Sequence, residues 1–361
     1  MATRRVGIVN ASLFRRDATL RQMRGVVFKG ERVVVLEEFA DPSPGVGEVV
    51  IQIKASGMCG SDMAPYRDPH DARRAHVITG HEPCGVVAEV GGGVAASLKG
   101  QRVLIHHYKG CGTCKHCRVG YVQMCVHGSK VMGSSMHGGN APYLLAPASA
   151  LMPLPDELSF AEGAAVACGT GTAYSALKRL DVSGRDTLAI FGQGPVGLAA
   201  TQLATVMGAR VLAVDPSPER RALATTLGAV AVIDPEATPP VEAIRELTQG
   251  EGAHATLDCT GHPEARANCT KAARAWGRAC FVGERGTATF DMTPDVIHKQ
   301  LTMYGSWTFS TVLMAECAQF AVDRRVPLRH VFTDTFTLDQ APEAFRRFES
   351  RVMGKGVFVF D

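Results

Sequence analysis

The chain has 361 residues, is 46% hydrophobic and 20% charged, and carries a net charge of +3. That length exceeds one ordinary core and implies two domains. The small charge and the lack of a basic stripe argue against nucleic acid as a partner, and no apolar run reaches the length of a membrane span.

The first 24 residues hold six Arg and one acid, Asp17, with no long apolar stretch. This excludes a secretory signal, although mitochondrial transit peptides share an Arg-rich, acid-poor composition. Residues 1–22 read as an N-terminal extension, with the folded chain starting near Met23. The 11 Cys are odd in number and spaced for metal rather than disulfides, which points to a reducing, cytoplasmic setting.

From Arg24 to about Leu154, short β-branched runs alternate with Gly and Pro. Residues 25–28, 33–37, 49–55, 85–90, 102–106 and 143–147 are expected strands of an antiparallel, barrel-like domain. Clusters such as Pro42-Ser43-Pro44-Gly45 mark its turns. Cys59 and His81 lie 22 residues apart, with Glu82 beside the imidazole, in or beside loops of this domain. Thiolate and imidazole suit a borderline-soft ion such as Zn²⁺, but two ligands make half a tetrahedral site. Cys111, Cys114, Cys117 and Cys125 follow at C-x2-C-x2-C-x7-C spacing. Four thiolates close a tetrahedral shell with no open position, so this reads as a structural zinc that pins a loop. An iron–sulfur cluster is the rival.

Residues 158–180 read as a helix carrying Cys168, the candidate third protein ligand for the first metal. Residues 187–191 form a continuous apolar run, as in a buried parallel strand. It feeds into Gly192-Gln193-Gly194-Pro195-Val196-Gly197, then a helix, then a second strand ending in Asp215, 23 positions after Gly192. Strand, GxGxxG, helix and acid in that order predict a dinucleotide crevice. The glycines let the backbone approach a pyrophosphate, and the helix N-terminus offers free N–H groups. Asp215 is expected to accept the adenosine ribose hydroxyls and to repel a 2′-phosphate, favouring NAD over NADP. Arg220 would flank that ribose or partly admit NADP. Strands at 230–233, 255–258, 278–282 and 301–305, with helices at 241–247 and 264–275, complete a six-stranded doubly wound sheet. Cys259 and Val282 fall at its carboxyl edge. Periodicity does not say where 312–361 packs.

Together, Cys59-Gly60-Ser61-Asp62, Gly80-His81-Glu82, the four-Cys loop, Cys168-Gly169-Thr170-Gly171-Thr172 and the glycine motif resemble the zinc-dependent medium-chain alcohol dehydrogenases, from about Arg24 to Asp361. The resemblance implies an α/β fold: a GroES-like β-barrel catalytic domain from both ends of the chain (1–169 and 309–361) and a Rossmann domain of doubly wound parallel sheet (170–308), with the site in the cleft. By position, Cys59, His81 and Cys168 correspond to the catalytic-zinc ligands. Ser61 corresponds to the hydroxyl that takes the alcohol proton, Glu82 to a carboxylate that approaches the metal, and Thr172 to a nicotinamide contact. Lys355 is expected to reach the cofactor phosphates, and Asp62 to buttress a His or the loop.

The expected activity is hydride transfer from a secondary alcohol or polyol to NAD, with two zinc per chain, in a homo-oligomer (a tetramer, else a dimer). An L-threonine-type or primary-alcohol enzyme on the same scaffold is the alternative; a non-catalytic zinc-loop binding protein is the alternative of another class. The His that many relatives use to pass the proton outward is replaced by Ala64, leaving ribose hydroxyls and water, Tyr66 or His70 for that role. Gly60 resembles the polyol and threonine dehydrogenase branch, whereas Cys168 does not. Tyr66, Trp307 and Phe309 are the candidate pocket aromatics.

Overall fold

The computed structural model describes residues 22–361. Apart from Gln22, the expected N-terminal extension lies outside the described residues. Two large sheets organise the rest.

The first sheet runs in the order Phe332–Phe336, Lys355–Val359, Glu48–Gly57, Glu82–Val90, Arg102–Ile105, Leu151–Pro153, with Tyr143–Pro147 also pairing with Glu48–Gly57. Val49, Ile51 and Ile53 alternate along the central strand and pack with Val87, Val103, Ile105 and Leu144, as a pleat with one face on the core requires. The runs expected at 25–28 and 33–37 instead pair only with each other, as the hairpin Gln22–Gly30 and Val33–Ala40. The strand expected from residue 85 begins at Glu82, which puts that carboxylate inside the sheet rather than in a loop. The last strand, Lys355–Val359, pairs antiparallel with the central one, Val357 opposite Gly57. Both ends of the chain therefore build this sheet.

The second sheet has six parallel strands in the order Ala231–Ile233, Arg210–Val214, Thr187–Phe191, Ala253–Asp258, Ala273–Phe281, Thr302–Gly305. This is the 3-2-1-4-5-6 order of a doubly wound fold, in which the chain reverses direction between Thr187–Phe191 and Ala253–Asp258 and opens a crevice at their carboxyl ends. All five residues of Thr187–Phe191 are buried, which explains why that stretch is continuously apolar. The strand expected from residue 278 already starts at Ala273, where the helix Pro263–Ala272 ends.

The expected helix 158–180 joins the two sheets in three parts: Phe160–Ala165, a π turn Val166–Thr170 and Gly171–Arg179. Ser159 starts it with a capping box, its Oγ accepting from the Glu162 N–H. Among the described residues, no helix is long and apolar enough to cross a membrane.

Candidate active site

Cys59 follows the central strand Glu48–Gly57 directly, His81 and Glu82 stand at the start of its neighbour, and Cys168 lies in the π turn of the linking helix. Three separate elements thus bring together residues far apart in sequence. One ligand atom from each of the four lies within 4.8 Å of the others. The Cys59 and Cys168 sulfurs are 4.0 Å apart. A single insertion in a helix, which a π turn represents, recurs at functional positions because it re-aims side chains and loosens a carbonyl. Here Ala167 O lies 3.3 Å from His107 Nδ1.

Asp62 is the organiser of the set. One carboxylate oxygen accepts from the Cys59 N–H at 2.9 Å, and the other sits 3.2 Å from His81 Nδ1. The expected buttressing role for Asp62 therefore acts on both the loop and the imidazole. With Nδ1 turned to Asp62, the other ring nitrogen, Nε2, faces the cluster, and a metal bound there would take its lone pair. Ser61 Oγ is 3.3 Å from that nitrogen, so the hydroxyl stands beside the ligand atoms.

The cluster has the chemistry of a cation site. Burial would depress the His81 pKa, but Asp62 and Cys59 outweigh it and hold the pKa well above the usual range. The Cys168 hydrogen bond holds Cys59 well below its usual range, while Cys168 is held up by Cys59. Burial pushes the Glu82 carboxyl up to about 8, against the pull of Lys355. Glu82 Oε1 is buried with no hydrogen-bond partner. Two sulfurs and an imidazole nitrogen converge beside a carboxylate oxygen that has no hydrogen-bond partner, a donor set that suits a divalent ion.

Lys355 stands between the metal cluster and the glycine motif: a Cβ at Gly169 would lie 3.6 Å from its Nζ and 3.8 Å from Pro195 O. Its side chain is 1% exposed; its ammonium pairs with Glu82 Oε2 and donates to Met58 O at 3.0 Å. The reason is register. The last strand lies on one side of Glu48–Gly57 and Glu82 starts the strand on the other, opposite Gly57. A Cβ at Gly57 would stand 2.0 Å from Glu82 Oε2. The absence of a side chain there gives Glu82 its place in the pair.

Tyr66 is also displaced from its expected role. The short helix Met63–Arg67 turns Met63 and Tyr66 into an apolar cluster with Phe28, Phe345 and Phe358. The Tyr66 ring is 5.8 Å from Phe28 and 6.0 Å from Phe345, so it packs the core. His70 Nδ1 is 2.9 Å from Lys29 O, an exposed backbone contact. Phe309 is fully buried against His106 and His107, and Trp307 is half exposed beside Tyr108.

Sequence reasoning passed over His107. Its ring is 5.2 Å from that of His81 and packs tilted against Tyr108 at 4.4 Å; burial pushes its pKa well down, leaving it neutral. The run His106-His107-Tyr108, just before the four-Cys loop, was the available signal.

Cys111, Cys114, Cys117 and Cys125 form the second cluster, their sulfurs all within 4.8 Å. The Cys114 N–H lies 3.3 Å from Cys111 Sγ, and the Cys111 N–H 3.4 Å from Cys125 Sγ. The Thr113 hydroxyl, with the Thr113 and Cys114 backbone, brings the Cys111 thiol down to about 5, which prepares a thiolate for a metal.

In the crevice, a Cβ at Gly197 would stand 1.8 Å from Gly192 O, so that turn closes only around glycine. The helix Pro195–Val206 begins at Gly194 with no side-chain cap and Pro195 first, leaving its N–H groups for a ligand. Val196 packs against the main core cluster. Asp215 accepts from the Gln193 N–H at 2.6 Å and the Ser217 N–H at 2.8 Å, one bond per oxygen, so each keeps a lone pair. Arg220 Nε donates to Met353 O at 3.3 Å. The Cys259 and Val282 N–H groups bond Phe191 O and Asp258 O, which keeps both residues at the carboxyl edge. Thr172 is buried one turn beyond Cys168.

Comparison with known proteins fits this arrangement. The alcohol dehydrogenase GroES-like domain matches residues 45–156, and the zinc-binding dehydrogenase model matches residues 195–324. The chain is 38% identical over 354 residues to an uncharacterized zinc-type alcohol dehydrogenase-like protein of Escherichia coli K12, covering 94% of this chain and 99% of that one. It is 34% identical over 276 residues to an L-threonine 3-dehydrogenase of Bacillus velezensis, covering 75% and 79%. The solved alcohol dehydrogenase from Thermus sp. ATN1 superposes with a TM-score of 0.85 at 28% identity, covering 93% of this chain and 99% of that structure.

Proposed function

The chain belongs to the zinc-dependent medium-chain alcohol dehydrogenases, and on that premise we propose that it oxidises a secondary alcohol or polyol with NAD. The observation that supports this best is the Cys59–His81–Cys168 cluster with Ser61 at its rim, close to the glycine motif, since a Cβ at Gly169 beside Cys168 would stand 3.8 Å from Pro195 O. Cys59, His81 and Cys168 would hold a catalytic zinc, and Cys111, Cys114, Cys117 and Cys125 a structural one. Bound there, the first ion supplies Lewis-acid polarisation of a hydroxyl oxygen, and the nicotinamide supplies the hydride acceptor.

The chain's own residues do the rest. Asp62 fixes the His81 ring so that Nε2 faces the cluster. Ser61 Oγ takes the proton of the substrate hydroxyl and passes it outward through water. Thr172 and the strand ends at Cys259 and Val282 hold the nicotinamide. Asp215 takes the ribose hydroxyls and disfavours a 2′-phosphate. We divide the chain as 1–169 and 309–361 against 170–308, and place it in the cytoplasm as a homo-oligomer, a tetramer or else a dimer. Thr302–Gly305, the open edge of the parallel sheet, is the strand offered for pairing.

Metal content and NADH formation at 340 nm on a panel of secondary alcohols and polyols test the reading. Expected are about two zinc per chain, as one open and one closed site require, and turnover with NAD exceeding that with NADP by roughly 10²-fold, the size of a like-charge contact. NAD binding without oxidation of any alcohol overturns it, and turnover confined to L-threonine replaces it with the activity of the Bacillus velezensis relative. Ser61→Ala should keep both zinc ions and lose roughly 10²–10⁴ in kcat, the usual worth of a positioned acid–base group. A rate within about threefold of wild type would assign the proton to another group.

A further inference from the structure

The segments that carry Ser61 and His81 also wall a cavity of about 250 Å³. Pro65, on the helix Met63–Arg67 that follows Ser61, lines it. So does Thr79, two positions before His81. Arg285 closes it from the other domain, on the turn 283–286 that follows the parallel strand Ala273–Phe281.

Charge is the informative property of this cavity. Arg73, Arg74 and Arg285 line it against Asp68 and Asp71, a balance of three cations to two anions. Arg73 is already committed: its guanidinium grips Asp71 through two bonds of 3.0 and 2.9 Å. Neither Arg74 nor Arg285 has an ion-pair partner among the described residues, although each lines the cavity from its own domain. Asp68, likewise without an ion pair, leaves a carboxylate for hydroxyl donors.

The backbone that carries Arg285 is held in place. It sits at φ 67°, a conformation that a side chain other than Gly adopts only when its surroundings impose it. Arg266 imposes it here. Its guanidinium donates to Gly283 O at 2.5 Å and Gly286 O at 2.9 Å, and its Nε pairs with the buried Asp258 at 3.4 Å. Arg74 is half-buried, its N–H bonded to Asp71 O at 2.9 Å. Arg74 and Arg285, one from each domain, line the same cavity and repel each other when nothing lies between them. A carboxylate or phosphate between them turns that repulsion into paired, charge-assisted hydrogen bonds, for which the guanidinium fork is shaped.

We propose that Arg74 and Arg285 bind an anionic group of the substrate, so that the alcohol oxidised is a hydroxy acid or a phosphorylated polyol rather than a neutral one. This rests on the dehydrogenase reading for the reaction but not for the binding. The reacting hydroxyl lies at the Ser61 end, and the anion lies in the cavity.

The zinc-loaded protein is assayed with NAD on D-sorbitol, D-gluconate and D-sorbitol 6-phosphate, and binding of the two anions is followed by calorimetry. At least one anion should exceed sorbitol in kcat/KM by roughly 30-fold or more, and which one does so separates carboxylate from phosphate. Arg74→Gln and Arg285→Gln should each shrink the anion-to-sorbitol ratio by roughly 10–100-fold, mainly through KM, and weaken anion binding alike, with Arg285→Lys, which keeps the charge but not the fork, falling between wild type and Gln. A general structural defect would lower all three rates and leave the ratio unchanged. Equal use of sorbitol and both anions by the wild type, or a ratio and affinity unchanged in both Gln variants, overturns the anion subsite and leaves the dehydrogenase intact. Anion binding that is lost in Arg285→Gln, with no substrate oxidised, supports the subsite and overturns the reaction.

Discussion

Cys59→Ala is expected to carry one zinc per chain where the wild type carries two, and to oxidise alcohols at least about 10³-fold more slowly. Polarisation of a hydroxyl oxygen by a bound ion contributes several kcal/mol to the transition state, and each 1.36 kcal/mol is tenfold in rate. The Cys59 sulfur lies 4.0 Å from that of Cys168, and its loop is tied through Asp62 to His81. Removing it leaves the site a nitrogen, a sulfur and a carboxylate that is already paired with Lys355. Elemental analysis of the purified variant, beside its rate, decides the matter. Cys114→Ala should lose the other ion and unfold at a lower temperature, because that site contributes folding energy. Two zinc ions in Cys59→Ala, or a rate close to wild type, would falsify the assignment of this cluster.

Lys355→Met is expected to destabilise the zinc-loaded protein by roughly 2–3 kcal/mol, read as a lower urea midpoint, because it leaves the buried Glu82 carboxyl without its partner. Both side chains of the pair are at most 1% exposed. Glu82→Gln should be destabilising as well, since it leaves the ammonium with only Met58 O. Replacing both partners removes both charges, so the double variant should recover most of the loss, and a double-mutant cycle gives the coupling directly. A Lys355→Met protein within about 1 kcal/mol of wild type would show that Glu82 is neutral or finds its counter-charge elsewhere, and the pair would lose its structural role. The expected effect is on folding as well as on rate, because the pair joins the last strand of the chain to the strand that begins beside His81.

How far each feature could be read depends on the distance over which it is encoded. The glycine motif lay open because its parts are local: a strand, a turn that closes only around glycine at 197, a helix start and Asp215, all within one βαβ unit. The four-Cys loop was readable for the same reason, since its ligands lie within one short segment. Cys168 was weaker alone, since a single Cys in an apolar helix is ordinary packing, and it gained weight only from its order relative to the other motifs.

The surroundings of other residues depended on long-range packing. Lys355 has no local pattern that says which way it points; that follows from the register of the last strand against Glu48–Gly57 and from the missing side chain at Gly57. Tyr66 carries the composition of a pocket wall, and only its packing against the C-terminal helix Ala341–Glu349 makes it core. His107 and the pair Arg74 and Arg285 acquire meaning from what stands opposite them, which no spacing records. The sequence alone determined the glycine-rich turn between strand and helix and the close spacing of the four Cys, because short-range geometry dictates those residue types; the set Cys59, His81 and Cys168 came from the resemblance. The tertiary structure decided how the ligands meet, what balances their charge and which cations the cleft leaves unpaired, because these depend on contacts between segments up to about 300 residues apart, such as Met58 and Lys355, where burial raises the energy of every unpaired group.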